Sequence, residues 1–124
     1  MATIFGKELR KLRIDNDERL LEMSRRIGKS AAFISAVERG TKKIPTDFEE
    51  VVISAYNLAA DGAVKLRRAA DRSRDAFTLN ANTDLARDTA GLMARRMSSR
   101  MKSLSDDELQ QIIAILKKGD QSRE

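Results

Sequence analysis

The sequence predicts an all-α protein, and three observations carry that prediction. Apolar residues recur at helical spacing through most of the chain. Capping residues and glycines fall where those periodic stretches begin and stop. The composition of the 124 residues, 41% hydrophobic and 35% charged with one Pro, one Tyr and no Trp, suits amphipathic helices better than a β-sandwich or a disordered chain.

The first helix is expected over Ile4 to Ile14, with Ile4, Phe5, Leu9, Leu12 and Ile14 near one face and Lys7, Arg10, Lys11 and Arg13 on the others. Asp15-Asn16-Asp17 ends it. Leu20, Leu21, Met23 and Ile27 mark a short second helix running to Arg26, and Gly28 breaks it. Ser30 can cap a third helix over Ala31 to Glu38, which buries Ile34 and Val37 and closes at Gly40, the residue best able to turn left-handed. Thr46 and Glu49 have capping-box spacing, so a fourth helix is predicted from Asp47 to about Leu58, with Phe48, Val51, Val52 and Ala55 inward.

A fifth, Ala- and Arg-rich helix is predicted over Gly62 to Ala76, with a thin stripe at Val64, Leu66, Ala69 and Ala70. The alternating triplet Phe77-Thr78-Leu79 reads as one short strand or an extended linker, the strand being preferred. After a turn at Asn80 to Thr83, a helix is expected from Asp84 to about Lys102, with Leu85, Leu92, Met93, Met97 and Met101 on a broad face. The last helix is the best signposted. Ser105 and Glu108 form a capping box, Leu104 and Leu109 a hydrophobic staple, and Leu109, Ile112, Ile113 and Leu116 a narrow apolar stripe. Lys117 and Lys118 suit its negative end, and residues 119–124 are expected to fray.

Cysteine and histidine are both absent, which excludes disulfides, Cys/His zinc sites, a thiol nucleophile and a histidine base. The 19 acidic residues are scattered among basic ones, as on solvated helix faces, and no phosphate-cradling loop is visible. A non-enzyme without metal or cofactor is expected. No apolar run approaches the roughly 18 residues that span a bilayer, and residues 1–10 lack a signal peptide's apolar stretch. The expected location is cytoplasmic, with no membrane partner.

The formal charge of +5 is unevenly placed. Residues 1–45 hold 11 Lys/Arg against 6 Asp/Glu, whereas residues 46–124 hold 13 against 13. A basic end joined to a neutral remainder points to one part facing a polyanion and another serving a different purpose.

The stretches Phe5-Gly6-Lys7-Glu8-Leu9-Arg10-Lys11-Leu12-Arg13, Leu20-Leu21-Glu22-Met23-Ser24, Ile27-Gly28-Lys29-Ser30, Phe33-Ile34-Ser35 and Val37-Glu38-Arg39-Gly40, followed by Pro45, occur in a telling order. Over residues 5–58 the chain resembles the Cro-like and lambda-repressor-like helix-turn-helix family of bacteria and phages. The resemblance implies a five-helix DNA-binding domain, assigned to residues 1–60, a helical dimerisation or assembly region over 61–118, and a frayed tail. In such a domain Met23, Ile27, Ile34 and Val37 lock two helices together so that the third can enter a major groove.

The resemblance places Ala31, Ala32, Ser35 and Ala36 against base edges, with Arg39 beside them. Alanine offers only its methyl group, so shape readout and phosphate register would carry much of the specificity. Arg19, Lys29, Ser30, Thr41, Lys42 and Lys43 are the expected phosphate contacts. Phe33 is expected mainly to pack, and Glu38 to support the turn by pairing with an amide or a basic residue. Two positions depart from the family pattern. Arg19 replaces a capping Thr or Ser, and Ser24 replaces a small Ala, which requires a carbonyl partner for its hydroxyl.

A helix-turn-helix reads few base pairs, so a homodimer on double-stranded DNA is expected, with Leu92, Met93, Met97, Leu109, Ile112, Ile113 and Leu116 as dimerisation candidates. The implied function is transcriptional regulation, as a repressor of the phage or mobile-element type. The alternative is an antitoxin-type regulator whose C-terminal helices, within residues 60–124, bind a partner protein.

Overall fold

The structure, a computed structural model, describes residues 2–98 and 104–121. Among these residues the chain is all-helical, with α1 Ile4–Asp15, α2 Leu20–Ile27, α3 Ala31–Arg39, α4 Phe48–Tyr56, α5 Ala60–Arg72, α6 Asp84–Ser98 and α7 Asp106–Gln121. They fall into two compact units, residues 1–78 and 79–124.

In the first unit α1 packs on α3 and α5, α2 on α3 and α4, and α4 on α5. One core results, built from Phe5, Leu9, Met23, Ile27, Ile34, Val37, Phe48, Val52, Leu66, Ala69 and Ala70. Burying these side chains offsets the entropy lost by short helices that would be marginal alone. The Thr3 hydroxyl accepts from the Gly6 N–H at 2.9 Å to start α1, and the Thr3 N–H donates to the Glu38 carbonyl at 2.9 Å. A Cβ on Gly6 would lie 2.2 Å from that same carbonyl oxygen, so α1 and the end of α3 meet at a distance only glycine permits.

The turn between α2 and α3 forms as its residue types dictate. Gly28 is left-handed at φ 80°, and the Ser30 hydroxyl accepts from the Phe33 N–H at 3.0 Å. Gly40, at φ 79°, closes α3. The Ser24 hydroxyl finds its carbonyl on Lys29 at 2.5 Å. Arg19 supplies no side-chain cap, but the Glu22 carboxylate accepts from the Arg19 N–H at 3.0 Å, which satisfies one amide at the start of α2.

Several sequence expectations need correction. The first unit does not stop at residue 60, because α5 supplies Leu66, Ala69 and Ala70 to the core. That helix begins earlier than expected, at Ala60, and ends at Arg72 with Ala63 turned inward while Val64 is 51% exposed. Ile4, Ile14, Leu21 and Val51 are likewise exposed. Thr46 and Glu49 do not box α4. Asp47, left-handed at φ 64° with no side-chain cap, precedes the helix, and Glu49 is drawn to Arg74. Asn57, also left-handed, ends α4 before Leu58.

Residues 77–79 form no strand, and Phe77 and Leu79 are exposed. A strand needs a neighbour to pair its N–H and C=O groups, and among the described residues there is none. The triplet spans the junction of the two units.

In the second unit the Thr83 hydroxyl accepts from the Ala86 N–H at 3.0 Å and starts α6. The box at α7 forms in full, with the Glu108 N–H donating to the Ser105 hydroxyl at 3.2 Å and the Ser105 N–H to the Glu108 carboxylate at 3.0 Å. The helix runs on to Gln121 instead of fraying from residue 119, with Gly119 inside its last turn. The expected end of the preceding helix near Lys102, and Met101 with it, lie outside the described residues.

Candidate nucleic-acid interface

The residues expected to meet DNA, Arg19 apart, lie on α3 and the chain at its two ends. Ala32 and Arg39 are exposed, and Ala31, Ser35 and Ala36 are half-buried along the helix. The Arg39 guanidinium donates to the Ser35 hydroxyl at 2.7 Å, one helical turn away, so the two polar side chains on this face are joined. Lys29 and Ser30 precede the helix, while Thr41, Lys42 and Lys43 follow Gly40. The Thr41 hydroxyl donates to the Ala36 carbonyl at 3.2 Å, and the N–H groups of Thr41 and Lys42 reach the same oxygen. Arg19 is exposed at the start of α2.

The charge pattern is one-sided. Between Gly28 and Thr46 the single acidic residue is Glu38, and it is 3% exposed. Its carboxylate accepts from both terminal nitrogens of Arg13 and lies 3.6 Å from Arg10 Nε. This bidentate pair joins α1 to α3, and Glu38 thus supports the scaffold. Elsewhere in the first unit, carboxylates pair with Arg26, Arg67 and Arg74. Among the described residues, no carboxylate forms a salt bridge with Arg19, Lys29, Arg39, Lys42 or Lys43. Unpaired cations beside a helix face of small residues leave that face electropositive and sterically open.

Phe33 was expected to pack, and it does, edge-to-face against Phe48 with ring centroids 5.6 Å apart. Its outer surface carries a feature the sequence reading missed. Lys29 Nζ lies 5.5 Å and Lys42 Nζ 5.4 Å from its centroid. The two lysines are separated by α3 in the sequence, and only the folded turn brings them to one ring.

Tyr56 of α4 is flanked by Arg26, whose guanidinium carbon lies 4.6 Å from the ring centroid, and Arg26 in turn donates twice to Glu18 at 3.1 Å. Burial, reinforced by Glu18, pushes the Tyr56 hydroxyl up to about 12. Lys42 and Lys43 also line a cavity of about 320 Å³ with Ile44, Ser73 and Arg74. The Ser73 hydroxyl there is already engaged by the Phe5 N–H and the Ala69 carbonyl, and Arg74 by Glu49 and the Pro45 carbonyl.

The dimerisation candidates lie on α6 and α7. Leu92, Met97, Ile113 and Leu116 are exposed, and Met93, Leu109 and Ile112 are half-buried. Arg96 reaches Glu108 at 3.4 Å. No described side chain beyond Ala70 is buried, and Leu85 and Ile115 are 77% and 69% exposed. Among the described residues, no helix is long and apolar enough to cross a membrane, and no group of three or more acidic side chains could hold a metal ion.

Comparison with protein-family models, curated proteins and solved structures gives no match for this chain.

Proposed function

We propose that the first unit is a lambda-repressor-like helix-turn-helix domain that binds double-stranded DNA, with α3 as the reading helix. The observation that carries this reading is the set of cations around α3, Lys29, Arg39, Lys42 and Lys43, on a stretch whose one carboxylate is buried. Cations clustered on one face with no exposed carboxylate among them are suited to phosphates. The contact between α2 and α3 and the capped, glycine-terminated turn between them support the same reading. Ala31, Ala32 and Ala36 let the helix approach closely, while the joined Ser35 and Arg39 offer the hydrogen bonds that base edges need.

The second unit serves self-association in this reading, giving a homodimeric transcriptional regulator of the repressor type. Helices with no buried side chain among the described residues are marginal alone in water, so the apolar side chains of α6 and α7 call for a cover. The same uncovered side chains favour a second reading, an antitoxin-type regulator whose partner protein covers them. A stoichiometric second protein on the purified full chain selects that reading.

The experiment is duplex binding followed by fluorescence anisotropy across a salt series. Replacing both Lys42 and Lys43 with Ala should weaken binding to every duplex and flatten the salt slope by about 2. Ala32→Glu should abolish binding with helicity and melting unchanged. Undiminished duplex affinity in Ala32→Glu sinks the proposal.

A further inference from the structure

Three aromatic rings lead from the core to the candidate DNA face. Phe5 is fully buried and meets Phe48 edge-to-face at 6.1 Å, and Phe48, 2% exposed, meets Phe33 in the same manner at 5.6 Å. The third ring is held at its backbone as well, because its N–H caps onto Ser30 at 3.0 Å. Phe33 is therefore a fixed surface on which Lys29 and Lys42 converge, both ammonium groups within 5.5 Å of its centroid.

The backbones of both lysines are also anchored. The Ser24 hydroxyl donates to the Lys29 carbonyl at 2.5 Å, and the Lys42 N–H donates to the Ala36 carbonyl at 3.2 Å. Neither ammonium group forms a salt bridge with a carboxylate among the described residues. Attraction to the ring's π-system holds each ammonium near it and shortens the search of two flexible side chains. An anion at the ring's rim would supply the counter-charge that both lack. Ser30 and the first free amides of α3 lie on the same side of the sequence as Lys29, where a backbone phosphate of a duplex also finds N–H donors.

We infer that Phe33 is a positioning residue that holds Lys29 and Lys42 as a two-cation clamp for a DNA backbone phosphate. The inference rests on the DNA-binding reading above and adds to it a residue that makes no hydrogen bond to DNA. The clamp predicts that the lysines act together, whereas freely solvated lysines would contribute separately.

Two measurements on the full chain test it. The first needs no DNA: the ε-methylene proton shifts of Lys29 and Lys42 should be moved upfield by the ring in the parent protein and return to ordinary lysine values in Phe33→Leu. Shifts that are ordinary in the parent overturn the clamp. The second is binding to a duplex across salt concentration. Lys29→Ala and Lys42→Ala should each lower the slope by about 1, their combination should cost clearly less than the product of the single losses, and Phe33→Leu should weaken binding about 3- to 10-fold, since cation–aromatic contacts are individually small. Phe33→Tyr, which keeps the face, should bind like the parent. Multiplicative loss in the lysine pair, which does not require altering Phe33 at all, overturns the clamp, as does full affinity and slope in a folded Phe33→Leu. A parent protein with no salt-dependent duplex binding removes the DNA-binding reading itself, while the shift measurement still reports whether the lysines sit on the ring.

Discussion

Glu49, at the start of α4, is clasped by Arg74, just past the end of α5, through hydrogen bonds of 2.7 and 2.9 Å between side chains that are each 11% exposed. Arg74 also donates to the Pro45 carbonyl at 2.6 Å, so one guanidinium ties the loop before α4 to the chain after α5.

Acid should reveal this clasp. Burial pushes the Glu49 carboxyl up, but the Arg74 hydrogen bonds and charge outweigh it and the net displacement is downward. A carboxyl depressed on folding adds stability that is complete above its unfolded value of about 4.3 and is lost as pH falls through the lower folded value. Glu49→Gln should cost about 1–2 kcal/mol at neutral pH, less than the roughly 3–5 of a fully buried pair. Denaturant titrations at a series of pH values should show that cost shrinking as pH falls below about 4. Glu50, also lowered, by its bond to Arg67, remains in both proteins and cancels.

Gly6→Ala should be among the most damaging small substitutions. Its methyl group would press on the Glu38 backbone, which cannot yield as a side-chain tip can. The expected loss is at the upper end of the roughly 1–3 kcal/mol typical of overpacking, read as a lower thermal midpoint. Gly62→Ala, whose Cβ would meet nothing closer than 3.8 Å, is the matched control and should hold or gain stability.

Tyr56 is the one tyrosine, and there is no Trp, so tyrosinate absorbance reports it alone. Its midpoint in the folded chain should lie near 12 against about 10 unfolded. A value raised on folding contributes stability that is intact below pH 10 or so and lost as pH climbs through the folded value. Denaturant titrations should therefore show stability falling as pH rises above about 10, and Tyr56→Phe should flatten that fall.

Self-association should depend on α6 and α7. Leu92→Glu together with Ile113→Glu should reduce the sedimentation mass of a dimer to that of one chain and weaken duplex binding, with the first unit's melting preserved. Unchanged mass in a parent dimer would place the interface elsewhere.

Most helix boundaries were legible because they depend on neighbours in sequence. Gly28, Ser30, Gly40 and the Ser105–Glu108 box act within a turn or so of chain, and each sits as its residue type predicts. The errors share a different cause. Glu49 had capping-box spacing, yet a guanidinium 25 residues on claimed it. Val64 and Ala63 are equally plausible in a helical pattern, and only packing against α1 and α4 chooses Ala63. At the candidate site, the cation cluster could be read from residue types alone. The Ser35–Arg39 link was available from its helical spacing. The meeting of Lys29 and Lys42 on Phe33 was not, since it requires the turn and the loop after α3 to fold towards the same ring.

The place of α5 in the core bears on how the protein can be dissected. A fragment cut at residue 60 would discard Leu66, Ala69 and Ala70 and the Ser73 hydroxyl that receives the Phe5 N–H, leaving α1 without one of its two supports. A protease acting on the native chain should cut instead within the non-helical residues 76–82, and the released N-terminal piece would carry every residue of the candidate interface as a monomer.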